Sequence, residues 1–98
     1  MDDKQIISEI NRTLEMEAAS VLKLKETLNC GAMLAALKAI AECKGKIVIS
    51  GCGTSAMAAK KAVHSLNCIE CPALFLTPSA AVHGGLGGLQ KEDILILV

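Results

Sequence analysis

Apolar side chains recur at Ile7, Ile10, Leu14, Val21, Leu24 and Leu28, in steps that follow a three-four spacing, with polar residues between them. No Pro or Gly interrupts the run, and Glu17 takes the one seam position that lacks an apolar residue. The spacing predicts an amphipathic helix over residues 3–29. At ~1.5 Å of rise per residue it extends roughly 40 Å, longer than a small domain needs for itself. Its narrow seam suits packing on another subunit or along its own domain. Asp2 and Asp3 read as the helix start, where negative charge is favoured. Gly31 breaks the pattern, and residues 32–43 resume it with Met33, Ala36, Leu37 and Ile40 on one face. Lys44-Gly45-Lys46 then supplies the glycine and cations that favour a helix C-terminus.

Beyond residue 46 the period changes. Ile47-Val48-Ile49 is a short β-branched run, expected to be buried on both faces. Ser50 to Ser55 forms a glycine loop, and Ala56 to Leu66 is a second helical stretch. Ala73 to Thr77 reads as a strand stopped by Pro78. Residues 79–88 are small and glycine-rich, and Ile94 to Val98 is a third continuous apolar strand preceded by Glu92 and Asp93. Strand, helix, strand, connection, strand is the order of a parallel α/β sheet. Continuous apolar strands favour helices on both sheet faces. The expected architecture is a three-layer α-β-α sandwich with a parallel, flavodoxin- or Rossmann-like sheet and a long preceding helix. Two parts follow: residues 1–30 for packing or oligomerisation, and residues 31–98 as the first half of a ligand-binding domain. The sequence stops within the third strand, which leaves an open edge. Truncation is the favoured reading, completion by another chain the alternative.

Composition narrows the chemistry. Ten basic residues balance ten acidic ones among 98, so there is no net positive footprint for non-specific nucleic-acid binding. Phe75 is the only aromatic residue, which removes the stacking platforms of single-strand binders. No apolar run approaches the ~20 residues of a membrane span, and no signal peptide follows Met1. The expected location is the cytoplasm, without nucleic-acid or membrane partners. Cys30, Cys43, Cys52, Cys68 and Cys71 make an odd set that reads as free thiols. Cys68 and Cys71 have C-x-x-C spacing, but no second pair completes a zinc site. They read as ordinary thiols ahead of a strand, and no metal or cofactor is expected.

The chemical signal is concentrated in Ile47-Val-Ile-Ser-Gly51-Cys-Gly53-Thr54-Ser55. A buried strand here delivers the chain to the carboxyl edge of the sheet, where open α/β folds bind ligands. Glycines at 51 and 53 permit positive φ and close backbone approach. Unpaired N–H groups at the following helix start favour an anion, with phosphate the natural candidate. Thr54 and Ser55 either meet that ligand or merely cap the helix. Gly51-x-Gly53-x-x-Ala56 also fits a dinucleotide fingerprint. That fold needs an acidic residue near the end of its second strand, and Thr77-Pro78 offers none. A nucleotide P-loop would need Gly-Lys-Ser/Thr after four intervening residues, which this loop lacks.

This loop, together with Pro78-Ser-Ala-Ala-Val-His83-Gly84-Gly-Leu86-Gly87, resembles the sugar isomerase (SIS) domain family over residues from about 30 onward. The second motif is most similar to the arabinose 5-phosphate isomerase branch. The loop is also similar to the isomerase half of glucosamine 6-phosphate synthase. The resemblance implies a five-stranded parallel sheet in a homo-dimer or homo-tetramer. It also implies a sugar phosphate bound by Gly51, Gly53, Thr54, Ser55, His83 and Gly84. Ser55 matches a serine that contacts the sugar phosphate, and His83 a histidine near the sugar. The chain departs from that branch at Thr54, where lysine is usual, and at Gly85, where aspartate is usual. Both changes remove charge. In the family, the principal phosphate loop and the glutamate base lie beyond the third strand.

Aldose–ketose isomerisation moves a proton between C1 and C2 through an enediol and needs a base and a carbonyl-polarising group. Imidazoles titrate near neutrality, so His83 is the catalytic candidate here; the alternative is a histidine bonding backbone in a tight turn. His64, Lys60 and Lys61 read as surface residues. The expected function is an aldose–ketose sugar-phosphate isomerase when full length, with the 98-residue chain inactive alone. Two alternatives stand: a non-catalytic sugar-phosphate sensor, and a fragment whose long helix serves assembly.

Overall fold

The structure, a computed structural model, describes all 98 residues. It divides into two compact units, Met1–Ala35 and Ala36–Val98. In the first, α1 spans Asp3–Thr27 and opens on a capping box. The Asp2 carboxylate accepts from Gln5 N at 2.8 Å, and the Gln5 side chain accepts from Asp2 N at 2.8 Å. Two of the orphan N–H groups of the first turn are thereby satisfied. Ile7, Ile10, Leu14, Val21, Leu24 and Leu28 fall on the predicted seam, and all six are between 41 and 68% exposed.

The interruption after α1 is set by Leu28 and Asn29, not by Gly31. Leu28 turns to extended geometry, ψ 130°, and Asn29 Oδ1 accepts from Ala32 N at 3.0 Å. An asparagine side chain is among the best N-caps, so the next helix, α2 (Cys30–Glu42), begins before the glycine. Gly31 sits in its first turn.

In the second unit, β1 (Ile47–Ser50), β2 (Ala73–Phe75) and β3 (Ile94–Leu97) form one parallel sheet in the order β2-β1-β3. Val48 pairs with Leu74 on one side and Leu95 on the other. Between β1 and β2 runs α3, Gly53–Cys68. Between β2 and β3 come a short α4, Pro78–Val82, and a 3-10 turn, Gly85–Gly88. Ile47, Ile49 and Ala59 are the buried centre, with Ile40, Val63, Leu66, Ala73, Phe75, Ile94 and Ile96 packed against them. Each large apolar side chain among them, once removed from water, contributes about 1.5–3 kcal/mol.

Burial refines the sequence reading of the strands. Only β1 is covered on both faces, with Ile47 at 1% and Val48 at 2% exposed. The outer strands alternate: Ile94 and Ile96 join the core around Ile47, Ile49 and Ala59, while Leu95 and Leu97 on the opposite face remain exposed. The continuous apolar run of β3 therefore does not have two covered faces within this chain. Strand β2 also ends at Phe75, two residues short of the prediction. Thr77 instead caps α4, its Oγ1 accepting from Ala80 N at 3.1 Å with Pro78 in the first turn. A stretch expected to be a glycine-rich connection thus contains a helical turn.

Candidate functional site

The β1–α3 turn lies at the carboxyl edge of the sheet, and its two glycines do different jobs. A Cβ at Gly51 would meet Val98 O at 3.0 Å and the Ser55 carbonyl at 3.3 Å. Its role is close backbone approach. Gly53 has φ +56° with open space around the Cβ position, so its role is the left-handed conformation that side chains disfavour. Helix α3 starts at Gly53, earlier than the Ala56 read from sequence. Its N-cap is Cys52, which makes no side-chain capping bond. The first backbone bond of the helix is Ala56 N to Cys52 O at 3.3 Å. The N–H groups of Gly53, Thr54 and Ser55 consequently have no partner. The capping alternative for Thr54 and Ser55 fails, since neither hydroxyl caps the helix.

These groups border a cleft of about 410 Å³ lined by Ser50, Gly51, Cys52, Ser55, Pro78, Ala81, Val82, Leu97 and Val98. Its walls from α4 and β3 are apolar, and its polar side comes from the turn. The positive end of the α3 dipole and three unpaired donors make that side suited to an anion. Of the predicted binding residues, Gly51 and Ser55 line the cleft. Gly53 and Thr54 stand beside it at the start of α3. His83 is the C-cap of α4, and Gly84, with φ +106°, opens the 3-10 turn. The His83 imidazole is exposed and lines no part of the cleft. The alternative of a histidine bonding backbone in the turn is not realised: only its backbone N–H is engaged, with Ala80 O at 3.2 Å.

Within this geometry the kinship of the chain becomes interpretable. No family model matches it. An Escherichia coli arabinose 5-phosphate isomerase, KpsF, is 33% identical over 96 residues, covering 98% of this chain and 30% of that protein. A Listeria monocytogenes protein provisionally assigned as a sugar-phosphate isomerase superposes with a TM-score of 0.94 at 58% identity. That match covers 99% of this chain and 51% of the other. An Escherichia coli CFT073 protein solved in complex with arabinose 5-phosphate superposes at a TM-score of 0.89 with 28% identity, over 99% of this chain and 51% of the other. Over almost its whole length the chain is similar to arabinose 5-phosphate isomerases. It spans 30% of the length of the curated relative and about half of each solved one.

Against these relatives, position 85 is informative. A Cβ on Gly85 would lie 2.7 Å from Ala80 O and 2.9 Å from a Leu76 methyl. The aspartate usual in the resembling branch has no room here without a shift of the α4 turn. Lys60 and His64 stay outside the cleft lining: Lys60 lies 5.1 Å from the Phe75 ring centroid, and His64 Nε2 is 3.6 Å from Cys68 Sγ. Cys68 closes α3 and Cys71 precedes β2, both as free thiols, around a turn in which Glu70 takes φ +59°. No cluster of three metal-ligating side chains forms, and no helix is long and apolar enough to cross a membrane.

Two features of the site escape sequence reasoning. Ser50 ends β1 on the cleft side, a position that strand alternation from Val48 could have given. The α4 wall of Ala81 and Val82 carries no signal, because a five-residue helix is too short for periodicity.

Proposed function

We propose that the chain binds a phosphorylated sugar at the β1–α3 turn and, within the full-length protein, serves aldose–ketose isomerisation. The observation that carries this reading is the row of unpaired N–H groups at Gly53, Thr54 and Ser55 opening beside a cleft at the sheet's carboxyl edge. Phosphate sits on the N–H groups and Ser55, while Gly51 lets the turn pack closely against the backbone of Ser55 and Val98. His83 and Gly84, on the α4 turn outside the cleft lining, are assigned to the sugar end, with His83 assisting proton transfer. The arabinose 5-phosphate bound to a homologue of similar fold supports the same class of ligand here. No metal or cofactor is needed for an enediol route, which requires only acid–base groups. The base comes from outside residues 1–98.

Residues 1–30 serve assembly into a homo-dimer or homo-tetramer, a reading supported by the exposed apolar seam of α1. Residues 31–98 form the first half of the phosphosugar domain. The protein works in the cytoplasm, where charged sugar phosphates are retained and five free cysteines stay reduced. The deciding experiment is a binding screen of the full-length protein against pentose and hexose phosphates, followed by an isomerase assay. Binding with turnover supports the enzyme, and absence of phosphate-ester binding refutes the site. A second reading, a sensor that binds without turnover, is favoured by the lack of space for a side chain at Gly85. Binding without turnover selects it.

A further inference from the structure

Ser50 is an unusual residue for the middle strand of this sheet. It is 7% exposed, pairs with Leu97 of β3, and its neighbours along β1 are all apolar. A buried hydroxyl ordinarily finds a partner, because leaving one unsatisfied is costly. The Ser50 backbone is engaged: its carbonyl accepts from Val98 N at 2.9 Å. Its hydroxyl forms no hydrogen bond in the chain. No fully enclosed side-chain oxygen in the structure lacks a partner, so this one must open onto the cleft that Ser50 lines. A nine-tenths-buried donor and acceptor, aimed into a cavity and otherwise idle, is a group waiting for a ligand.

Its place in the cleft says which part of a ligand it meets. The phosphate-suited donors are those of Gly53, Thr54 and Ser55, at the helix start beyond the turn. Ser50 lies on the strand side of that turn and pairs with Leu97 in the sheet. The walls around it, Pro78, Ala81, Val82, Leu97 and Val98, are apolar. A phosphate group there would face hydrocarbon and desolvation. A carbohydrate ring would not, since its C–H faces pack on apolar walls while one hydroxyl either donates to the Ser50 oxygen or accepts from its O–H. We infer that Ser50 is a specificity-determining residue that reads a sugar hydroxyl, separately from the N–H groups that hold the phosphate. This rests on the phosphosugar reading of the cleft and sharpens it. The site discriminates between sugars through the strand end, and between esters and other ligands through the helix end.

The test is Ser50→Ala in the full-length protein, titrated with two probes: arabinose 5-phosphate and inorganic phosphate. Loss of one neutral hydrogen bond should weaken the sugar phosphate about five- to tenfold, with inorganic phosphate changed by less than about twofold. Removing a hydroxyl that opens onto the cleft and bonds nothing in the chain should leave the thermal midpoint unchanged or raise it, which a structural role for Ser50 would not do. The inference is overturned if sugar-phosphate affinity is unchanged, if both probes weaken equally, or if the midpoint drops. Should the parent protein bind neither probe, the phosphosugar reading fails together with it; a parent that binds both, beside an unaffected variant, condemns only the role of Ser50.

Discussion

At the amino end of β1 almost every polar group has a partner, whereas at the carboxyl end the donors stand open. Asp93, just ahead of β3, reaches across to Lys46. Its Oδ1 accepts from Lys46 N at 2.9 Å, and its Oδ2 accepts from Lys46 Nζ at 2.5 Å and Gln90 N at 2.8 Å. Lys46 Nζ also donates to Gly88 O at 3.1 Å. At the other end, the N–H groups of Gly53, Thr54 and Ser55 and the hydroxyl of Ser50 have none. The same strand thus ends in a satisfied clamp on one side and an unsatisfied cradle on the other. Buried polar groups that are paired report on stability, and those left unpaired report on a ligand. Changes at the first end should therefore lower stability and spare binding. Changes at the second should do the reverse.

The largest expected effect is at Gly45. A Cβ there would lie 2.8 Å from Glu92 O, a backbone atom that cannot rotate away, and closer still to the Asp93 carboxylate. Gly45→Ala should cost about 3 kcal/mol, the upper range for overpacking. Denaturant midpoints measure it, and a variant as stable as its parent would show that the clamp yields freely.

Asp93 should give the clamp a pH signature. The side-chain bond from Lys46, then the backbone N–H groups of Lys46 and Gln90, hold its pKa down to about 2 from the ordinary 3.8. Because the folded value is depressed, the contribution is fully present above pH 3.8 and is lost as pH falls towards about 2. In Asp93→Asn that component is absent, so parent and variant stability curves should converge across this window. Parallel curves would remove the ionised carboxylate from the clamp.

At the opposite end, Ser55→Ala should weaken phosphate-ester binding roughly ten- to a hundredfold, the range for a hydrogen bond to a charged group. Stability should hardly change, as the Ser55 hydroxyl caps nothing. Calorimetric titration against pentose and hexose phosphates reads the first effect, thermal denaturation the second. Equal affinity in the variant would remove Ser55 from the site.

How much of this is legible in the sequence depends on range. The β-branched run Ile47-Val48-Ile49 announces a buried strand, and the glycines after it announce a turn, because both signals are local. The seam of α1 is equally readable from spacing. Gly31 looks like its end because glycine is a strong breaker, yet the capping strength of Asn29 decides the boundary. Thr77-Pro78 reads as a stop, although the same pair also starts a helix. The Lys46–Asp93 clamp joins residues 47 apart, and no local pattern can announce it. Nor can a run of apolar residues in β3 tell that only Ile94 and Ile96 join the core.

The smallest effect separates the two glycine roles at the open end. Gly53 holds φ +56° with nothing near its Cβ position, so substitution there meets strain without a clash. Gly53→Ala should cost about 1 kcal/mol from the left-handed geometry alone, and Gly53→Asn less, since asparagine tolerates that region better. If the alanine variant relieves strain by rotating the adjoining peptides, the first N–H groups of α3 turn away from the cleft. Phosphate-ester affinity should then fall further in the alanine variant than in the asparagine one. Matching affinities and matching stabilities would mean that the left-handed residue at the head of α3 is not what presents those donors.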